Sequence, residues 1–214
     1  MITEQIQLNS LTNRIIELAG QSPVSNKDLI VVDIQPEYQS SIPFLREFVK
    51  FLNSNYKKLN RLIFLYNGAD TLGMISESEL QMWWLELGLK EHIIDNSIWF
   101  DKGYAYFRYC IDSNISDEST VNLVKFMLSK NINDTRELDV EFWDEYIETY
   151  GDADVRELLE FADDMINIPD LMDELVKYNN IIMCGGGINE CLKEVEIALN
   201  ALGKPFKVLT QFTY

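Results

Sequence analysis

The sequence predicts a single α/β domain organised around a parallel β-sheet, and three observations carry that prediction. Short apolar runs bounded by polar residues alternate along the chain with segments whose apolar residues recur at helical spacing. These are the signatures of buried strands and amphipathic helices. Strands that alternate with helices close into parallel sheets through right-handed crossovers. In such sheets ligands bind beyond the carboxyl ends of the strands. Here three of those ends carry chemistry-bearing residues: Asp33, Lys102 and a glycine-rich turn that leads to Cys191.

Near the start, Leu11, Ile15, Ile16 and Leu18 share one side of a short amphipathic helix, whose early acidic residue and scattered polar residues are unlike a secretory signal. Residues 28–33 (DLIVVD) read as the first buried strand. Residues 43–56 follow as a helix with Phe44, Leu45, Phe48, Val49 and Leu52 on one face. Residues 61–66 (RLIFLY) are the second strand, ended by Asn67-Gly68, and 77–87 a helix carrying Leu80, Trp83, Trp84 and Leu87. A third strand covers 97–100 and a fourth 180–184 (NIIMC). Three glycines and a helix from about 189 to 202 come next. Gly203-Lys204-Pro205 stops that helix, and 206–210 form the fifth strand.

The stretch 116–178 breaks the alternation. Residues 121–128, 140–150, 155–165 and 171–176 all carry helical patterns, so the segment reads as an all-helical insertion on the sheet domain. It is also acidic: between 134 and 174 sixteen carboxylates face two arginines, Arg136 and Arg156. Its apolar stripes, such as Phe142, Tyr146 and Ile147, or Val155, Leu158, Leu159 and Ala162, must be buried, and the carboxylates then face water. The segment leaves the sheet just after Lys102 and returns just before the Cys191 strand. It is therefore predicted to pack over or beside the site mouth, as a lid or an oligomer contact, rather than as a detached domain.

Composition narrows the class. The chain has 214 residues, 47% of them hydrophobic and 25% charged, as expected of one soluble domain spanning 1–214. No apolar run reaches the ~18 residues of a membrane span. Cys110, Cys184 and Cys191 form no metal-binding or disulfide spacing, which points to reduced thiols and a cytoplasmic location. The net charge of −17 argues against nucleic acid or an anionic membrane surface as a partner.

Within Cys184-Gly185-Gly186-Gly187-Ile188-Asn189-Glu190-Cys191-Leu192 a strand, three glycines and a cysteine at a helix start follow one another. Helix N-termini offer unpaired N–H groups and a positive partial charge, which lower a thiol's pKa and can receive an oxyanion. Asp33, in Val31-Val32-Asp33-Ile34-Gln35, ends a buried strand, where a carboxylate can serve as a general base. Lys102, in Phe100-Asp101-Lys102-Gly103-Tyr104, follows another strand. The only histidine, His92, reads as a helix-end or surface residue.

Taken together these segments resemble the isochorismatase-like and nicotinamidase-related cysteine hydrolases. Val31-Val32-Asp33-Ile34-Gln35 is similar to that family's VVDxQ strand. Phe100-Asp101-Lys102-Gly103-Tyr104-Ala105-Tyr106 is similar to its lysine segment, and the glycine–Cys191 stretch with Ala198 and Gly203 to its cysteine helix. The resemblance implies a three-layer, doubly wound, mostly parallel sheet. It implies a triad in which Cys191 attacks a carbonyl, Asp33 takes its proton and Lys102 holds the aspartate. It further implies an oxyanion hole from the N–H groups of Gly187 and Cys191, with a cis peptide between Gly186 and Gly187. Tyr104, Tyr106 and Phe107, where the helical segment leaves the sheet, are expected with Gln35 to border the pocket. Residues 67–74 hold no histidine where metal-dependent nicotinamidases have them, so no metal and no cofactor are expected. The implied function is an amidase-type hydrolase for a small-molecule amide or related acyl substrate, as a possible dimer or tetramer. The alternatives are an isochorismatase-type vinyl-ether hydrolase and a non-catalytic binding or regulatory protein.

Overall fold

The computed structural model describes residues 24–70, 73–103, 110, 115–160 and 170–214. The helix predicted through Leu11, Ile15, Ile16 and Leu18 lies outside them, as do Tyr104, Tyr106 and Phe107. The strands in chain order are β1 (Asp28–Val32), β2 (Arg61–Tyr66), the two-residue pair β3 (Ala69–Asp70) and β4 (Gly73–Met74), β5 (Ile98–Asp101), β6 (Ile181–Gly185) and β7 (Phe206–Val208). Five of them form one sheet in the order β5-β2-β1-β6-β7, and every pairing in it is parallel. β3 and β4 form a small antiparallel hairpin.

β1 is Asp-Leu-Ile-Val-Val and wholly buried, as a central parallel strand covered on both faces must be. Alternation sends its side chains to opposite faces. Leu29 and Val31 join one apolar cluster, and Ile30 and Val32 another. The first cluster is closed by α1 (Leu45–Asn55), α2 (Glu77–Glu86) and α3 (Glu91–Ile94), through Phe48, Leu52, Trp84 and Ile93. The second is closed by α4 (Asp117–Ser129), α5 (Val140–Tyr150), α6 (Ala153–Glu160), α7 (Leu171–Leu175) and α8 (Cys191–Ala201). Helices therefore flank both faces of an α/β sheet. Progress from β1 through β2 to β5 runs outward in one direction, and β6 returns to the other side of β1. The gap between β1 and β6 is the point where strand order reverses, where α/β sheets bind ligands.

The acidic segment is built into this core. α4 lies along α8, and α5 lays Phe142 and Tyr146 against Phe126 of α4, ring centroids 5.0 and 5.7 Å apart. Val155 of α6 is buried in the same cluster. The segment is thus no detached domain. Its first helix, α4, is a layer helix of the sheet rather than an addition to it. The predicted stripe residues Leu158 and Ala162 lie outside the described side chains. His92 sits exposed on α3, as its sequence position suggested.

Candidate active site

Three chain segments meet above the gap between β1 and β6. Asp33 is the first residue past β1. Its N–H still pairs with the Leu65 carbonyl at 2.8 Å, so β1–β2 pairing fixes its height. It then turns into the left-handed region at φ +45. That conformation is uncommon for a residue with a side chain, and strain of this kind concentrates at functional sites. Its carbonyl accepts a hydrogen bond from the Tyr214 hydroxyl at 2.9 Å. Lys102 follows β5 and is held in the same way, its N–H donating to the Tyr66 carbonyl at 2.9 Å. The neighbouring Asp101 carboxylate accepts from Gly68 N at 3.0 Å and Gly103 N at 2.9 Å, tying both loops around Lys102.

Cys191 opens α8. Gly185 at φ +83 and Gly186 at φ +55 make the turn that brings it there. A methyl group on Gly185 would collide with the Val32 carbonyl, and one on Gly186 would press on the start of α8. Glycine is required at both positions by conformation and by space. The Gly187 carbonyl accepts from Glu190 N and Leu192 N. Among the described residues neither the Gly187 N–H nor the Cys191 N–H has a backbone acceptor, as a site that receives an oxyanion requires. The Gly186–Gly187 bond is trans, since the described residues contain no cis peptide; positive φ at two successive glycines makes the turn instead.

The side chains converge. Lys102 Nζ lies 3.0 Å from Asp33 Oδ2, and both side chains are almost wholly buried. The Cys191 thiol faces the Asp33 carboxylate within hydrogen-bonding reach. Asp33 holds an ion pair, yet neither of its carboxylate oxygens accepts a well-aligned hydrogen bond among the described residues. A buried carboxylate in that state is poorly satisfied and available as a proton acceptor. Burial alone would push the Lys102 ammonium down. The carboxylates of Asp33 and Glu194 outweigh it and hold Lys102 above the usual lysine range, hence charged.

Two features differ from the sequence expectation. The helix N-terminus was expected to lower the thiol pKa. Burial and the adjacent Asp33 carboxylate instead push Cys191 upward, and Lys102 only partly opposes them. The second is Glu194, buried at 4% exposure, with Oε2 3.6 Å from Lys102 Nζ. The sequence did carry a signal for it. Glu194 lies three residues after Cys191 on the same helix, so the two share a face. Gln35, expected to border the pocket, is wholly buried. Its amide makes a reciprocal pair with the Asn67 backbone, accepting from Asn67 N at 3.0 Å and donating to Asn67 O at 3.2 Å. It locks the loops after β1 and β2 together. The aromatic wall expected from Tyr104, Tyr106 and Phe107 lies outside the described residues. Tyr214 was not anticipated and stands beside Asp33 and Cys191.

Among the described residues no three His, Cys, Asp or Glu side chains gather to hold a metal, and no helix is long and apolar enough to cross a membrane. Compared with protein-family models, curated proteins and solved structures, the chain matches none.

Proposed function

We propose that this chain is a metal-independent cysteine hydrolase of the isochorismatase-like type, opening an amide or related acyl bond of a small molecule. One observation carries the reading. Cys191, Asp33 and Lys102 come from three separate strand ends and meet in one cluster, where Cys191 is half-buried and the buried Lys102 lies 3.0 Å from the buried Asp33. In the proposed reaction Asp33 takes the thiol proton as Cys191 Sγ forms a bond to the substrate carbonyl carbon. The oxyanion that develops is received by the N–H groups of Gly187 and Cys191. The proton passes from Asp33 to the leaving amine as the C–N bond breaks, leaving a thioester. Water, deprotonated by Asp33, then releases the acid and restores the thiol. Lys102 holds the Asp33 carboxylate in place through their 3.0 Å ion pair and offsets charge as it develops. The donor set supports a metal-free reaction, because residues 67–74 supply a carboxylate and no imidazole. The reading includes a cytoplasmic enzyme, a small-molecule substrate rather than nucleic acid or membrane, and a homo-oligomer.

The raised thiol gives the vinyl-ether reading a foothold, since there a carboxylate acts as the acid and the thiol is dispensable. A panel of small amides, carbamoyl compounds and vinyl ethers, assayed with the wild type, Cys191→Ala and Asp33→Ala, separates them. The amidase reading expects turnover of an amide that both substitutions abolish. Turnover that survives Cys191→Ala but not Asp33→Ala supports the vinyl-ether reading. No turnover on any compound favours a binding protein.

A further inference from the structure

We propose that Tyr214 is a positioning residue that ties the Asp33 turn to the glycine turn at Gly186 to Ile188, and so fixes the distance between the candidate base and the candidate oxyanion site; this rests on the reading of the two turns as parts of one hydrolase site. The pairing of β1 with β6 runs from Asp28 opposite Ile181 to Val32 opposite Gly185 and stops there. Asp33 and Gly187 lie just past that last rung, where the ladder no longer sets how far apart the two strand ends stand. Tyr214 spans this place. Its hydroxyl donates to the Asp33 carbonyl at 2.9 Å. Its N–H donates to the Gly186 carbonyl at 3.3 Å, and its main-chain oxygen accepts from Ile188 N at 3.0 Å. One residue thus grips the base turn with its side chain and the glycine turn with its backbone, with one bond on each side of Gly187.

Both turns need holding. Asp33 is at φ +45, a conformation that persists only where its surroundings over-determine it. Its N–H is held by the Leu65 carbonyl at 2.8 Å and its own carbonyl by Tyr214, so the residue is pinned on both sides and its side chain stays aimed at Lys102. Successive glycines have the widest choice of backbone conformation, so the facing turn keeps one shape only if it is tied. Tyr214 is itself well anchored. Leu209 N donates to the Met183 carbonyl at 2.9 Å, and a 3-10 turn at Thr210–Phe212 follows. That turn sets the Phe212 ring 4.9 Å from Phe48 and 5.0 Å from Phe51, centroid to centroid. The Tyr214 ring then stands 6.5 Å from the rings of Tyr38 and Phe44. Phenylalanine at this position would pack as well, so the hydroxyl is the part that packing does not account for.

Hydrogen exchange of backbone N–H groups, followed by NMR on the isotope-labelled full chain, tests the tie without any substrate. Tyr214→Phe keeps the ring and the backbone bonds and removes only the hydroxyl bond. It is expected to speed exchange at Asp33 and at Ile188 about fivefold, the net contribution of one hydrogen bond, while Leu29 and Ile182 in mid-strand stay unchanged. The response of Ile188 is the signature, since the substitution removes nothing that touches it. Iodoacetamide alkylation of Cys191, read by peptide mass spectrometry from pH 6 to 10.5, reports whether the tie reaches the thiol. Cys110 and Cys184, both wholly buried, report folding in the same samples. The Cys191 rate in Tyr214→Phe is expected to rise by a similar factor, because the half-buried thiol gains room as the turns part. An Ile188 N–H that exchanges freely in the wild type overturns the proposal. So does unchanged Ile188 exchange in folded Tyr214→Phe, or a Cys191 rate no higher than the wild type's. If Tyr214→Phe exposes Cys110 and Cys184, native-state exchange of the wild type in urea decides: tied turns release Asp33 and Ile188 together, and separate release overturns the tie. Activity separates this proposal from the reading beneath it. On an amide that is turned over, Tyr214→Phe is expected to lower kcat about tenfold with little change in KM, and an unchanged kcat overturns the positioning role. A tie found in a protein that turns over no compound of the panel instead overturns the hydrolase reading and leaves the tie standing.

Discussion

β1 begins and is followed by an aspartate, and the two have opposite fates. Asp28 and Asp33 are both 0% exposed. The Asp28 carboxylate accepts from Asn60 Nδ2 at 2.6 Å, from Arg61 Nε and Nη2 at 3.0 Å each, and from Asn179 N at 2.8 Å. Arg61 in turn lies over the Tyr178 ring at 4.9 Å. Partners come from the start of β2 and from the approach to β6, so Asp28 ties three adjacent strands at their amino ends. Among the described residues Asp33 has no such cage. It sits at positive φ, faces one ammonium and a thiol, and shares that ammonium with a second carboxylate. A buried charge that is fully hydrogen-bonded stabilises a fold, whereas one left under-satisfied in a strained backbone marks a place held ready for chemistry.

Exchanging the two roles by substitution breaks or upholds that contrast most directly. Asp33→Asn is expected to cut turnover by about 10²–10⁴-fold, the usual contribution of a general base. It should change stability by no more than about 1 kcal/mol, because Lys102 keeps Glu194 as a partner and asparagine tolerates positive φ. Asp28→Asn is expected to do the reverse, lowering unfolding free energy by about 3 kcal/mol while the folded fraction keeps its Cys191 alkylation profile. Urea titration and the alkylation assay measure both variants. A large stability loss for Asp33→Asn with none for Asp28→Asn would undo the comparison.

The glycines sharpen it at the backbone level. Gly185 and Gly203 both have positive φ, at +83 and +65, but only Gly185 is hemmed in by backbone. Gly203→Ala carries the conformational penalty alone, roughly 1 kcal/mol. Gly185→Ala must also push β6 away from β1, so a loss of more than about 2 kcal/mol is expected, together with faster unselective alkylation of Cys184. Thermal melts of the two variants give the ordering, and equal losses would mean that the close approach at Gly185 is slack.

Acid and alkali should weaken opposite ends of the sheet. Near Asp28, burial pushes the Glu174 carboxyl up, but hydrogen bonds from Lys177 and Tyr178 outweigh it and its pKa is lowered. Its stabilisation is therefore present above the ordinary carboxylate range and is lost as pH falls through the depressed value. Near Asp33, burial and neighbouring carboxylates push Cys191 and Tyr214 upward. On the same side of the sheet as α4, burial pushes the Cys110 thiol up to about 12. For such groups the unfolded chain ionises first, so stability declines once pH passes 9, by up to about 1.4 kcal/mol per pH unit for each group. Urea midpoints from pH 3 to 11 should peak near neutrality. Glu174→Gln should flatten the acid limb, and Cys110→Ala the alkaline one.

Sequence patterning revealed most of the sheet because parallel strands are buried on both faces and read as uninterrupted apolar runs. The limits of β2 match the structure, and those of β1, β5 and β6 agree within a residue or so. β7 ends early at Val208, since Leu209 to Phe212 turn away to pack Phe212 on Phe48 and Phe51. The β3–β4 hairpin escaped because two-residue strands carry no periodicity. At the candidate site, Asp33, Lys102 and Cys191 were singled out by their strand-end positions taken together with the family resemblance, and the structure brings Lys102 to 3.0 Å from Asp33. Glu194 had only its spacing from Cys191 as a signal, because a glutamate in a helix ordinarily faces water and its burial beside Lys102 is what gives that spacing meaning. The direction of the Cys191 shift was misjudged for the same reason: the helix N-terminus is visible in sequence, and the surrounding carboxylates are a product of the fold.

The smallest expected effect concerns how far the acidic helical segment reaches into this picture. Lys193, two residues past Cys191, pairs with Asp117 of α4 at 2.7 Å and with Glu196 at 3.2 Å. Among the described residues the Lys193–Asp117 pair joins the first turn of α8 to the first turn of α4. Asp117 is 60% exposed, so water and salt screen the contact. Exposed pairs of this kind contribute up to about 1 kcal/mol. Apolar contacts between α4 and α8, through residues such as Val121, Val124, Leu192 and Val195, carry the joint instead. Lys193→Ala is therefore expected to lower stability by less than about 1 kcal/mol and to leave the Cys191 alkylation midpoint within about 0.3 units. Deleting residues 131–168 through a short glycine linker is the stronger form of the same experiment, because it removes α5 and α6 while keeping α4 and α8. If the deleted protein folds with an unchanged Cys191 profile, the acidic helices act only to cover α4. If the profile moves while Lys193→Ala leaves it alone, the segment reaches the site by packing rather than by charge, and the lid expected from the sequence gains its first physical support.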